Sequence, residues 1–314
     1  MPDRNAIAKM LETLEQCSVC PRECGADRTT DRLGYCRTGA GFAVSSICQH
    51  RGEEPVVSGT YGIVNVFFGH CNMQCVYCQN YQISRHDTTD DSAGRSVNDI
   101  VAEIEQRLAQ GSTAVGFVSP SHVIPQMKVI MASLDARGHH PVYVYNTNGY
   151  DKKELIESLE GCIHVYLPDL KYLDNRLARE FSDTPDYVEV ATAAIKEMFR
   201  QKGANIYTDA EDSLQFGLII RHLVLPGQVE NSKAVLRFIA EELSTDVHIS
   251  LMSQYHPTPA VANHPTLGRT VRREEYEEVV AEFERLGFHR GWVQELNSPQ
   301  SYRPDFSHRH PFEH

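Results

Sequence analysis

An open, partial (β/α)6 barrel of TIM-like α/β type, preceded by a cysteine-rich segment, is the fold this 314-residue sequence predicts. Two observations carry it. Apolar runs of strand length recur at 63–68, 114–118, 142–145, 163–167, 218–225 and 247–252, and amphipathic stretches with legible ends lie between them. Strands each followed by a helix imply a parallel sheet of right-handed βαβ units, and six such units are too few to close an eight-fold barrel.

The elements follow in order. Residues 5–16 read as an amphipathic helix, with Ile7, Met10, Leu11 and Leu14 on one face. A cysteine- and turn-rich stretch then runs to about residue 60, so the chain divides into 1–60, a helix and a metal-binding segment, and 61–314, the barrel with a C-terminal extension. Ser96 with Asp99 marks a capped helix start, closed by Gly111. Ser121 is expected to cap a helix over 123–137 that stops at Gly138, and Asp151 a short one that stops at Gly161. Two helices fill 174–202, and 230–243 and 273–286 supply the last two. The polar run 86–94 reads as a solvated loop or a substrate lid, and Trp292 and Tyr302 either cover the barrel or face a partner.

The net charge of −12 argues against nucleic acid as a partner, because phosphate binding needs a basic footprint. No apolar run approaches a membrane span, and Met1-Pro2-Asp3-Arg4 does not start an export signal, so no membrane partner and a cytoplasmic location are expected. Nine cysteines in that setting point to reduced thiols used as metal ligands. Cys48 and Cys162 are read as small buried apolar residues.

The most informative stretch is Phe67-Phe68-Gly69-His70-Cys71-Asn72-Met73-Gln74-Cys75-Val76-Tyr77-Cys78-Gln79-Asn80, directly after the first barrel strand. Its C-x3-C-x2-C spacing leaves an odd cysteine for any disulfide scheme and falls one thiolate short of a closed tetrahedral zinc site. Three thiolates suit a [4Fe-4S] cluster with one iron left open to a small chelating molecule. The alternative is a metal knuckle completed by His70. Further along, the C-terminal ends of the strands, where ligands bind in parallel α/β folds, deliver Ser119-Pro120-Ser121, Asn146-Thr147-Asn148-Gly149, Asp169-Leu170-Lys171, Arg221-His222 and Ser253-Gln254-Tyr255-His256. A separate group, Cys17-x2-Cys20-x3-Cys24-x11-Cys36, puts four thiols into a segment poor in large apolar residues. They suit zinc or an auxiliary iron–sulfur cluster that substitutes for a core, and spacing does not separate the two.

The cysteine stretch, with Tyr77 as the aromatic residue before its last cysteine, resembles the radical S-adenosylmethionine (SAM) superfamily. The ordered segments 145–150, Asp169-Leu170-Lys171, Arg221-His222-Leu223-Val224-Leu225-Pro226-Gly227 and Tyr255-His256 are similar to those of pyruvate formate-lyase activating enzymes, and the N-terminal cysteines to their PflX-like branch; the likeness spans about 17–296. The resemblance implies a radical SAM core, a [4Fe-4S] cluster on Cys71, Cys75 and Cys78, and SAM as second cofactor. Carried over, the SAM contacts are Asp169, Lys171, Arg221 and His256, joined by Tyr77, Ser119, Asn146 and Thr147 from the same strand ends.

It further implies a radical SAM oxidoreductase, which reductively cleaves SAM to a 5′-deoxyadenosyl radical that takes hydrogen from a substrate, a glycyl residue of a partner enzyme among the candidates. An electron donor such as flavodoxin or ferredoxin and a protein substrate are the implied partners. Two departures stand out. Ser119-Pro120-Ser121 replaces the Gly-Gly-Glu that holds the SAM amine in the activating enzymes, and Asn146 replaces an acidic residue that helps bind a monovalent cation there. The other readings are a non-catalytic iron–sulfur or zinc scaffold or regulatory protein, and a radical SAM enzyme that acts on a small molecule or peptide.

Overall fold

The computed structural model describes residues 4–30, 32–87, 94–296, 303–308 and 310–312; positions 88–93 of the polar run and Tyr302 lie outside the described residues. Helix α1 (Arg4–Leu11) passes into a 3-10 turn that buries Leu14. Strand β1 (Val44–His50) follows, then the short α2 (Pro55–Ser58) and β2 (Ile63–Phe68), which ends in the cysteine loop. After α3 (Tyr81–Ser84) the chain alternates: α4 (Val97–Leu108), β3 (Ala114–Val118), α5 (Ile124–Asp135), β4 (Val142–Thr147), α6 (Lys153–Glu157), β5 (Val165–Pro168), α7 (Asn175–Ser182) and α8 (Tyr187–Lys202). The small β6 (Tyr207–Thr208) pairs with β7 (Leu214–Leu223), and α9 (Val229–Glu242), β8 (His248–Met252), α10 (Arg273–Arg285) and β9 (Gly291–Val293) complete the fold.

The sheet order is β1-β2-β3-β4-β5-β7-β8-β9, parallel from β2 onward, with β1 antiparallel at the edge. This is the open partial barrel, with three strands the hydrophobic pattern did not reveal: β1, β6 and β9. Successive strand residues point to opposite faces. Tyr143, Tyr145, Tyr166, Leu218 and Ile220 pack outward with the helices, while Val142, Val144, Val165, Leu167 and Ile219 form a second cluster inside the curve. Continued along the same strands, the inner parity reaches Asn146, Asp169 and Arg221. The interior is therefore apolar at one end and polar at the other.

The apolar end is closed by α2, whose Val57 joins the inner cluster while Gly59 approaches Ser213 just before β7. Gly116 leaves the room that Asn65 needs, since a Cβ there would lie 2.3 Å from Asn65 Oδ1.

Two expected caps are replaced. The residue before α5 is Val123, without a side-chain cap, and the Ser121 hydroxyl lies 3.1 Å from Thr147 Oγ1 instead. Lys152 precedes α6, while the buried Asp151 carboxylate accepts from Tyr145 Oη (2.7 Å) and Thr147 Oγ1. Both side chains lie beneath the barrel mouth, where tertiary partners compete with a helix end. Ser96 does cap α4, accepting from Asp99 N–H at 3.2 Å. Cys48 is buried but Cys162 is exposed, contrary to expectation, because it lies in the turn after α6. Trp292, on β9, is partly buried against the inner cluster. Among the described residues no helix is long and apolar enough to cross a membrane.

Candidate functional site at the barrel mouth

One cavity at the polar end is lined by Cys71, Cys75, Tyr77, Cys78, Ser119, Asn146, Thr147, Asp169, Lys171 and Arg221, with Glu53, Gln254, Pro304 and Phe312 among its other walls. Strand β2 enters it through His70, whose positive φ (59°) turns the chain sharply before Cys71; Ser119 makes the matching left-handed turn (φ 53°) after β3. The His70 N–H is tied to the Ile83 carbonyl at 2.7 Å, which folds the loop back on itself.

Each cysteine of the loop has a donor at its sulfur. Asn148 Nδ2 lies 3.3 Å from Cys71 Sγ, Ser182 Oγ 3.0 Å from Cys75 Sγ, and Ser84 Oγ 3.2 Å from Cys78 Sγ. Burial pushes the Cys71 thiol up to about 12 and the Cys75 thiol up to about 11, the latter against the opposing pull of Lys171. A metal taken up here must therefore displace thiol protons. Sulfur-directed donors around three thiols at a cavity wall fit a cluster that carries negative charge on its ligands.

Lys171 Nζ and Asp169 Oδ2 form an ion pair at 2.5 Å. Burial alone would drive Lys171 toward neutrality; Asp169, foremost among its neighbours, outweighs that and keeps it charged. Arg221 is already engaged: its Nη2 pairs with Glu53 at 2.6 Å and with Glu54, and its Nε donates to Glu54 at 2.9 Å. Burial favours a protonated Glu53, but Arg221, His50 and Asn65 together hold its carboxyl well below the usual range. Asn65 Nδ2 donates to Glu53 at 2.8 Å, so the arginine and two carboxylates make a hydrogen-bonded floor to the cavity. His256 is not among the lining residues. It is half-buried, with Nδ1 unpartnered among the described residues, and Gln254 of the same loop reaches the cavity instead.

The four N-terminal cysteines lie in a looped segment clamped to the back of the cysteine loop. Cys17, Cys20 and Cys36 are buried, Cys24 is exposed, and burial pushes the Cys20 thiol up to about 12. Arg22 Nε donates to the Asn72 carbonyl at 3.0 Å, and its guanidinium stacks 3.8 Å from the Tyr35 ring. Arg28, 2% exposed, lies with Nη1 3.8 Å from Cys17 Sγ and 2.6 Å from the His122 carbonyl; it has no carboxylate partner among the described residues. Among those residues, no three His, Cys, Asp or Glu side chains are gathered as they stand around a single ion.

Sequence reasoning placed Asn148 at a strand end but missed Glu53, Glu54, Ser84, Ser182 and Tyr172. Two adjacent glutamates before Pro55 were a readable signal, because α2 begins there and its neighbours are apolar. For Ser182 no local signal existed, since its partner Cys75 is 107 residues away.

The model of the radical SAM superfamily matches residues 65–239, more than half of the chain. An uncharacterised protein of Methanocaldococcus jannaschii, MJ0674, is 28% identical over 278 residues, covering 87% of this chain and 75% of its own. Among solved structures, coproporphyrinogen III oxidase (HemN) of Escherichia coli aligns with a TM-score of 0.51 at 12% identity, over 71% of this chain and 52% of its own. HydG, a maturase of the [FeFe]-hydrogenase, aligns with a TM-score of 0.53 at 10% identity, over 96% of this chain and 60% of its own. At those identities the two structures speak for the fold, and this chain spans little more than half of either.

Proposed function

The chain belongs to the radical SAM superfamily, and from that premise we propose that it is an iron–sulfur oxidoreductase whose cluster sits on Cys71, Cys75 and Cys78 and whose cavity holds SAM. The observation that carries this is the convergence of those cysteines with Asn146, Asp169 and Lys171 on one cavity. When bound, the reduced cluster and SAM supply a 5′-deoxyadenosyl radical that abstracts hydrogen from the substrate.

The chain's own residues bind and orient. Asp169 and Lys171, paired with each other, exchange that contact for the amine and carboxylate of the SAM amino-acid moiety, which complement them in charge. Ser119, Asn146 and Thr147 supply polar contacts from neighbouring strands, and Tyr77 an aromatic wall. Arg221, held by Glu53 and Glu54, acts from below as the floor and not as the first carboxylate holder.

For the substrate, the ordered motifs favour a PflX-like activating enzyme that acts on a glycyl residue of a partner protein, with electrons from a flavodoxin or ferredoxin in the cytoplasm. One feature favours a smaller, enclosed substrate instead: Pro304 and Phe312 of the chain's own C-terminal segment line the cavity.

Anaerobic reconstitution followed by dithionite and SAM tests the enzymatic reading, with 5′-deoxyadenosine as the expected product; its absence would favour a scaffold. The site assignment is tested by binding. Each of Asp169→Ala and Lys171→Ala removes one charge-assisted contact, about 1.5–3 kcal/mol, so SAM affinity measured at equilibrium is expected to fall by roughly 10- to 100-fold. Wild-type affinity in both variants would place SAM elsewhere.

Residues 1–60 are proposed as the metal-binding segment, with zinc or an auxiliary cluster on Cys17, Cys20, Cys24 and Cys36, and 61–314 as the partial barrel with its C-terminal extension. The buried Arg28 cation beside Cys17 supports thiolates there, since a buried charge needs an opposite one. Replacing all four cysteines with serine is expected to remove one metal centre from the chain and to open this segment to protease, while the Cys71–Cys78 cluster still forms. Unchanged metal content and protease resistance would mean that these cysteines are not ligands.

A further inference from the structure

Three hydroxyls run in line to the Cys75 sulfur. Ser182 Oγ lies 3.0 Å from Cys75 Sγ, Tyr172 Oη 2.7 Å from Ser182 Oγ, and Tyr77 Oη 2.5 Å from Tyr172 Oη. Ser182 and Tyr172 are fully buried and Tyr77 is 5% exposed, so water does not compete for these bonds. The end of α7 fixes their register. The Gln74 N–H donates to the Ser182 carbonyl at 3.1 Å and the Val76 N–H to the Phe181 carbonyl at 2.9 Å, which holds the serine against the middle cysteine of the loop.

The direction of the chain is forced once Cys75 is a ligand thiolate. A thiolate only accepts, so Ser182 spends its one proton on the sulfur. Tyr172 must then donate to Ser182, and Tyr77 to Tyr172, because each hydroxyl has a single proton. Each O–H then donates to the next group in the direction of the sulfur, and each polarises the next.

We propose that Tyr77, Tyr172 and Ser182 form a one-way hydroxyl relay that ends on the Cys75 sulfur and eases reduction of the cluster. The relay rests on the reading of Cys71, Cys75 and Cys78 as cluster ligands. Reduction adds one electron from an external donor of the flavodoxin or ferredoxin type and makes or breaks no bond. The added negative charge spreads over the irons and their sulfurs, and O–H groups aimed at a ligand sulfur stabilise that state. Ser182 and Tyr172 are thus positioning residues that tune an electron acceptor without touching SAM or substrate.

The test is a potentiometric titration of the reconstituted full chain, followed by electron paramagnetic resonance, with iron and sulfide counted in every variant. Ser182→Ala is expected to make reduction about tenfold less favourable, a potential about 59 mV more negative for one electron. Ser182→Thr, which keeps the hydroxyl, is expected to restore it. Tyr172→Phe removes one oxygen and keeps the ring, and is expected to shift the potential the same way by less. In a Ser182→Ala background Tyr172→Phe is expected to add nothing, because its effect travels through the serine hydroxyl.

Wild-type potentials in loaded Ser182→Ala and Tyr172→Phe would overturn the relay, as would an equal Tyr172→Phe shift in both backgrounds. If Ser182→Ala fails to load iron, Tyr172→Phe against wild type decides: a negative shift supports the relay and an unchanged potential overturns it. A wild-type protein that loads no cluster on Cys71, Cys75 and Cys78 would overturn the reading of the site and the relay together, whereas a loaded cluster with unmoved potentials overturns the relay alone.

Discussion

Replacing Cys71, Cys75 and Cys78 together with alanine is expected to abolish both the reducible cluster signal and the formation of 5′-deoxyadenosine. The effect is all-or-none, because the three thiolates are the only protein ligands in the proposed site and the sulfonium of SAM has no other electron source there. The substitutions are small, and the loop keeps backbone ties that do not involve sulfur: the His70 N–H to Ile83, Gln74 to Ser182 and Val76 to Phe181. Asn148 also retains a partner, since its Nδ2 donates to Asn72 Oδ1 at 2.9 Å. A folded protein without cluster or cleavage is therefore the expected product, read by circular dichroism alongside paramagnetic resonance and product analysis. Cleavage of SAM by the folded triple variant would remove these cysteines from the chemistry.

How far the sequence discloses such a site depends on how local its parts are. The cysteine loop is legible because its three cysteines fall within eight positions just after an apolar run, and the six principal strands because each is a largely buried apolar run. Their polar ends are legible for a related reason: the inner parity of Val142 and Val144 extends to Asn146, and that of Val165 and Leu167 to Asp169. What escapes is long-range pairing. Strand β1 hides among turns and cysteines and is stabilised by its antiparallel ladder with β2. Ser121 and Asp151 carry sound capping signals, but buried hydroxyls of Thr147 and Tyr145 claim them. Arg221 was legible as a charge at a strand end. Its pairing with Glu53 and Glu54 was not, since 168 residues separate it from Glu53.

That pairing sets the second large effect. Arg221→Met is expected to destabilise the fold by about 3–5 kcal/mol, because it leaves two carboxylates without their cation in the barrel interior. The side chains of Arg221, Glu53 and Glu54 are 8%, 11% and 5% exposed, so solvent offers little relief. The loss belongs to the stranded charges and not to the missing arginine as such. Combining Arg221→Met with Glu53→Gln and Glu54→Gln is therefore expected to recover much of it.

The pH dependence follows from the same geometry. With Arg221 in place, the folded-state pKa of Glu53 lies below its ordinary value of 4.5. Its contribution to stability is thus fully present above pH 4.5 and is lost as the pH falls toward the depressed folded value. In Arg221→Met the cation is gone while the burial remains, so the Glu53 carboxyl is driven toward its protonated form, and mild acidification is expected to narrow the gap between variant and wild type. Urea unfolding at neutral pH and near pH 4 measures both effects. A variant within about 1 kcal/mol of wild type at neutral pH, the range of an exposed ion pair, would mean that Glu53 and Glu54 find other partners, and that the floor of the cavity is not held by this arginine.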